Sequence, residues 1–256
     1  MNCSRHLDGE VGRVNKHRGA IEEFCTALNK ASPSELPSVI LIGSVARNSE
    51  TPRSDVDLLI IGARKLKTCS APSNFHLHIT TAQDFLRKLR NGDDLAAWCV
   101  RFGVSIQDAG IWREITGSVE AQTWPDWRKK ILHATRRLVL AKTLLATGDI
   151  DAASEEVLYA ASHAARAVLL KSKVFPLARA ELVSQTRNIG HERLAQMLET
   201  FLFGAPDENA VQSGMQYLKK LFVDLDESEF KRWSQEFSRM APLSRKQAGL
   251  ADGNSK

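Results

Sequence analysis

Between residues 11 and 31 the apolar positions are Val11, Val14, Ile21, Phe24, Cys25 and Leu28, with Arg18, Glu22 and Glu23 among them. That spacing predicts an amphipathic helix with a single buried stripe. Ser32-Pro33 and Pro37 close it. Ser38-Val39-Ile40-Leu41-Ile42 follows as an unbroken run rich in β-branched residues, which predicts a short strand buried on both faces. A second strand of this kind is predicted over 56–61, a third over 75–79 and a short fourth over 104–106. Thr81, followed three residues later by Asp84, marks the start of a helix over 82–90.

The pattern changes after Trp124-Pro125. Asp126 is placed to cap a long helix reaching about residue 147, whose inner stripe is Ile131, Ala134, Leu138, Ala141 and Leu145. Gly148-Asp149 interrupts it, and a second helix over about 152–172 carries Ala160, Ala161, Ala164, Ala165 and Ala167, small residues that allow close helix contact. Further helices are expected over about 192–202, 210–224 and 229–240. No strand-like alternation appears past Glu114. The expected architecture is therefore an α/β (α+β) domain with a small mixed sheet over 10–115, followed by an all-α bundle over 124–240. A tail over 241–256, rich in polar residues, is expected to be disordered.

Composition narrows the setting. No apolar run approaches the roughly 18–20 residues that span a bilayer, and the first ten residues lack the apolar core of a secretory signal. Four cysteines (Cys3, Cys25, Cys69, Cys99) lie far apart, which argues against a zinc site and for a reducing, cytoplasmic location. The net charge of +5 is spread along the chain, with Arg64-Lys65-Leu66-Lys67 and Arg128-Lys129-Lys130 its densest runs, both read as solvated. A modest, dispersed excess is compatible with a nucleotide and does not point to nucleic acid as the partner.

The chemistry concentrates in Ile42-Gly43-Ser44-Val45-Ala46-Arg47 and Ser54-Asp55-Val56-Asp57-Leu58. Glycine at the end of a buried strand lets the backbone approach a phosphate, the serine offers a hydroxyl, and a helix start offers free amides. Asp55 and Asp57 stand two apart on a strand, so both carboxylates project from one face. Their Cα atoms lie roughly 6.5–7 Å apart, and their hard oxygens suit Mg²⁺ or Mn²⁺ in a two-metal site.

In this order the two segments resemble the signature of the DNA polymerase β-like nucleotidyltransferases, of the minimal type. The resemblance covers about residues 10–115. It implies a small mixed sheet, a nucleoside triphosphate substrate (ATP foremost), divalent metals and transfer of a nucleoside monophosphate to a hydroxyl. It also implies phosphate contacts from Gly43, Ser44 and Arg47, and metal ligation by Asp55 and Asp57. The chain departs from the pattern twice. Asn48 stands where glycine is usual, and asparagine tolerates the same left-handed backbone. The strand expected to bring a third carboxylate reads Phe75-His76-Leu77-His78-Ile79. One of its histidines is expected to face the metals, with His78 the candidate catalytic residue, as a ligand or as a base.

More weakly, the helical half resembles HEPN-type and substrate-binding domains that accompany such enzymes. Arg187 and His191 have only three residues between them, too few for the ribonuclease pattern of that family, and Gly190 marks a helix end. The acceptor is expected to be a small molecule or a protein hydroxyl, and a homodimer is compatible with the sequence. The rival reading is a catalytically weakened fold serving as a binding or antitoxin-like module.

Overall fold

In the computed structural model of the chain the described residues are 15–31, 36–51, 54–62 and 70–226. The expectations for Val11 and Val14, the basic run at 64–67, the helix over 229–240 and the tail over 241–256 fall outside them. The chain divides into two compact units, Met1–Pro125 and Asp126–Lys256.

The first unit is built on a sheet of four strands, β1 (Ser38–Ile42), β2 (Val56–Ile61), β3 (Phe75–Thr80) and β4 (Val104–Gln107), in the order β3-β2-β1-β4. β1 runs antiparallel to β2 and β4, whereas β2 and β3 are parallel, so the sheet is mixed. Every residue of β1 is buried. Alternation explains how: Val39 and Leu41 face one apolar layer, Ile40 and Ile42 the other. The first layer is closed by α1 (Asn15–Ala31), whose stripe Ile21, Phe24, Cys25 and Leu28 packs there as the sequence spacing requires. The second is closed by α3 (Ala82–Arg90), α4 (Asp94–Phe102) and α5 (Ile111–Thr116), through Phe85, Leu89, Ala96, Cys99, Trp112 and Ile115. A short helix, α2 (Gly43–Ala46), follows β1 directly.

α3 begins as read, with the Thr81 hydroxyl accepting the Asp84 amide at 3.1 Å. α4 and α5 have no counterpart in the periodicity analysis. Their apolar runs, Leu95-Ala96-Ala97-Trp98-Cys99 and Ile111-Trp112, are too short to fix a period, and the caps Asp93 and Asp108 were the usable signals. Asp93 accepts the Ala96 amide at 2.9 Å.

Asp108 ties the far end of the sheet together. One carboxylate oxygen accepts the buried Ser38 hydroxyl at 2.6 Å and the Gly110 and Trp112 amides at 2.9 Å, and the other accepts the Arg113 amide at 3.1 Å. Beside it, Asn29 of α1 and Gln107 of β4 exchange side-chain amide hydrogen bonds at 2.8 and 2.9 Å.

In the second unit α6 (Trp127–Ala146) and α7 (Ile150–Lys171) form a hairpin across the Gly148 turn. α8 (Arg179–Asn188), α9 (Glu192–Phe203) and α10 (Glu208–Leu225) pack on α7, whose alanines at 160, 161, 164, 165 and 167 are fully buried. The unit is all-helical, as expected. The stripe of α6 is buried at Ile131, Ala134, Leu138 and Ala141, and Leu145 is partly covered. Between the two helices the His133 and His163 rings stack at 5.4 Å. Burial, then the charges of Arg166, His133, Lys130 and Arg137, push the His163 imidazole down to about 3, so it is neutral at pH 7. Among the described residues no helix is long and apolar enough to cross a membrane.

Burial raises the Asp108 carboxyl pKa, but the hydrogen bonds from Ser38, Trp112, Arg113 and Gly110 outweigh it and the net shift is downward. Its contribution is therefore complete above the unfolded value of about 3.9 and is lost as pH falls below that. Asp108→Ala is expected to lower stability by about 1–3 kcal/mol in urea unfolding at pH 7, because it strands the buried Ser38 hydroxyl. The gap between variant and parent should narrow below pH 4, and a constant gap would show that the carboxylate is not the source.

Candidate functional site

The sheet brings the Gly43 turn and the two aspartates to one end. Antiparallel pairing sets Ile42, the last residue of β1, opposite Asp57 near the start of β2. Gly43 then turns away at φ 80°, and a Cβ built there would overlap the Asp57 Oδ2 atom. Glycine is thus required twice over, by its dihedral and by the carboxylate lying against it. The turn is closed by its own backbone, with the Ser44 carbonyl accepting the Arg47 amide at 3.2 Å and the Ser49 amide at 3.0 Å. Val45 anchors it in the core. Asn48 adopts φ 54°, the left-handed conformation that asparagine tolerates.

Asp55 precedes β2 and Asp57 is its second residue. Burial raises the Asp57 pKa. His78 and then His76 lower it, Asp55 raises it again, and the net direction is upward. The parallel register gives the two histidines different partners. It pairs Asp57 with His76 and Leu59 with His78. The His76 ring lies with Nε2 at 3.8 Å from Asp55 Oδ2 and Nδ1 at 3.6 Å from Asp57 Oδ1, between the two carboxylates. The sequence reading singled out His78. Parallel pairing in this register instead sets His76 against the aspartates and His78 one pleat repeat further along the same face. The His76 and Asp55 side chains are 60% and 48% exposed, so backbone pairing, and not this side-chain contact, holds the group together.

The Arg47 guanidinium lies 5.9 Å from the Trp98 ring centre and 5.8 Å from that of Phe102, both on α4. This platform was not legible in the sequence, because α4 itself was missed.

Among the described residues no group of three or more His, Cys, Asp or Glu side chains is arranged to hold a metal by itself. Asp55 and Asp57 nevertheless fit an ion of the Mg²⁺ kind, which is usually bound by one or two carboxylates plus substrate phosphates and water.

Residues 21–104, from within α1 to the start of β4, match the model of the nucleotidyltransferase domain family. The matched stretch contains Gly43, Ser44, Arg47, Asp55, Asp57, His76 and His78. A solved structure described as a nucleotidyltransferase-like protein from Exiguobacterium sibiricum is 19% identical, with 91% of this chain and 81% of that chain covered and a TM-score of 0.49. No curated protein matches the chain.

Gly43→Ala is expected to lower stability by about 1–2 kcal/mol through its left-handed backbone, and to displace the Asp57 carboxylate. Thermal melting checks the first, and a change in the Asp57 carboxyl resonance checks the second. An unaltered Asp57 signal would show that the two residues are not in contact.

Proposed function

We propose that the first unit transfers a nucleoside monophosphate from a triphosphate, ATP foremost, to a hydroxyl acceptor. The observation that carries this reading is the meeting of Gly43, Asp55, Asp57 and His76 at one sheet end. The glycine turn lets a phosphate approach the backbone, and the Ser44 hydroxyl donates to the terminal phosphates. Asp55 and Asp57 hold Mg²⁺ or Mn²⁺, which when bound neutralises charge on the triphosphate and makes the α-phosphorus more electrophilic. Burial and the neighbouring Asp55 both disfavour the Asp57 anion, and a bound cation would offset them.

The acceptor oxygen bonds to the α-phosphorus as the bond to the departing pyrophosphate breaks. The hydroxyl proton passes to the His76 imidazole, which lies beside both carboxylates. His78 and Arg47 act at one remove, His78 further along β3 and Arg47 by fixing the turn against α4.

The helical unit, HEPN-like in this reading, serves acceptor recognition. RNA cleavage is disfavoured because Arg187 is paired with Glu192 at 3.1 Å and Glu199 at 3.0 Å. A second reading, a fold kept for partner binding in the manner of an antitoxin, draws on one observation: a histidine stands where the resemblance implies a carboxylate.

Incubation with triphosphate labelled at the α-phosphate, Mn²⁺ or Mg²⁺ and a panel of alcohols and proteins tests the reading, and label transferred to an acceptor is the expected outcome. The Asp55→Ala, Asp57→Ala double variant is expected to lose metal-dependent triphosphate binding by calorimetry while melting at or slightly above the parent temperature, since two repelling carboxylates are removed. Unchanged affinity in the folded variant sinks the assignment. His76→Asp is expected to move the metal preference from Mn²⁺ toward Mg²⁺, because a carboxylate is the harder ligand. An equal shift on changing His78 instead would move the role along the strand.

A further inference from the structure

A cavity of about 260 Å³ lies between the β2–β3 face and the α3–α4 pair. Its wall starts beside the proposed reaction centre. Leu59 and His78, which line it, are registered partners two residues beyond the pair Asp57 and His76. They share that pair's face, roughly 6.5–7 Å along the strands. Cys99 also lines the cavity and lies close enough to feel the Asp57 charge.

The lining is mixed in a way that defines a ligand. Leu59, Phe85 and Ala96 form an apolar floor, and Ile79 and Leu95, 48% and 43% exposed, leave apolar surface around it. His78, Thr80, Lys88 and Asp93 add polar groups, one cation against one anion. Asp93 is fixed, since it caps α4 through the Ala96 amide. Burial, with Asp93 second, pushes the Cys99 thiol up to about 12, so the cavity offers no thiolate at pH 7. The volume falls short of the roughly 300–1,000 Å³ of sites that enclose drug-sized ligands. It admits one small ring or short chain, not a nucleotide.

We infer that this cavity is the acceptor subsite and takes a small uncharged alcohol with an apolar body, its hydroxyl directed along β3 toward Asp57 and His76. The inference rests on the transfer reading above. Lys88 and Asp93 balance in the lining, so no net charge there offsets the desolvation of an ionised acceptor. The apolar body supplies affinity, and the His78 and Thr80 side chains orient the hydroxyl.

Benzyl alcohol serves as the probe, with benzoate as its charged counterpart, in saturation-transfer NMR on the full chain. Saturable binding of benzyl alcohol is expected, with benzoate weaker by about tenfold or more, as for a carboxylate desolvated in a site whose one cation, Lys88, is balanced by Asp93. Ala96→Leu fills the floor and should abolish the signal. Because that buried substitution can disturb the fold, Leu95→Glu, at an exposed position, gives the independent check and should weaken binding by a similar factor. The Asp55→Ala, Asp57→Ala variant should keep alcohol binding while losing the triphosphate. Absence of saturable binding, equal binding of benzoate, or indifference to both cavity variants overturns the inference and leaves the transfer reading standing. Alcohol binding in a protein that binds no triphosphate overturns the acceptor role together with that reading.

Discussion

β1 is covered on both faces and paired along both edges, and the candidate site is an outcome of that confinement. Its edges are taken by β2 and β4, and its faces by two apolar layers. A strand of five residues enclosed this way cannot slip by one position without turning Ile40 and Ile42 into the layer built for Val39 and Leu41. Its two ends are therefore fixed points. At one, Ser38 meets the Asp108 cap; at the other, Gly43 meets Asp57. Structural and chemical ends of the sheet are held by the same short apolar run.

The period of two along each strand then distributes the roles. Asp57 shares a face with Leu59, and in the parallel neighbour His76 shares that face with His78. A one-residue change in the β2–β3 register would put Leu77 beside Asp57 and remove the imidazole from the carboxylates. The same geometry makes the carboxylate–imidazole cluster and the cavity successive steps along one surface, polar first and apolar next.

Electrostatics sharpen the point. A partly buried carboxylate beside a second one is a poor anion, and Asp57 responds by a raised pKa even with two histidines near it. Asp108 is the contrast: its four hydrogen bonds satisfy it completely within the protein, and its pKa moves the other way.

Much of this was written in local sequence. The two-face burial of β1 and β2, the mixed α/β character of the first half and the helical second half all follow from periodicity and spacing, because those depend on residues adjacent in the chain; β3, expected to be buried in the same way, is instead an edge strand with His76 and Ile79 exposed. The left-handed Asn48 belongs to the same class, since only its own side chain decides whether that turn is tolerated. What the sequence left open was set by contacts between distant segments. Whether His76 or His78 meets the carboxylates depends on the register between strands separated by residues 62–74, which no local pattern encodes. The α4 helix, its hold on Arg47 and the cavity beneath it exist because Leu89, Ala96 and Cys99 find the far face of the sheet. Residue spacing determined which groups this protein brings to its chemistry, and the pairing and packing of elements far apart in the chain decided which of them meet, because hydrophobic burial fixes which faces are covered while backbone hydrogen bonding fixes which residues stand opposite one another.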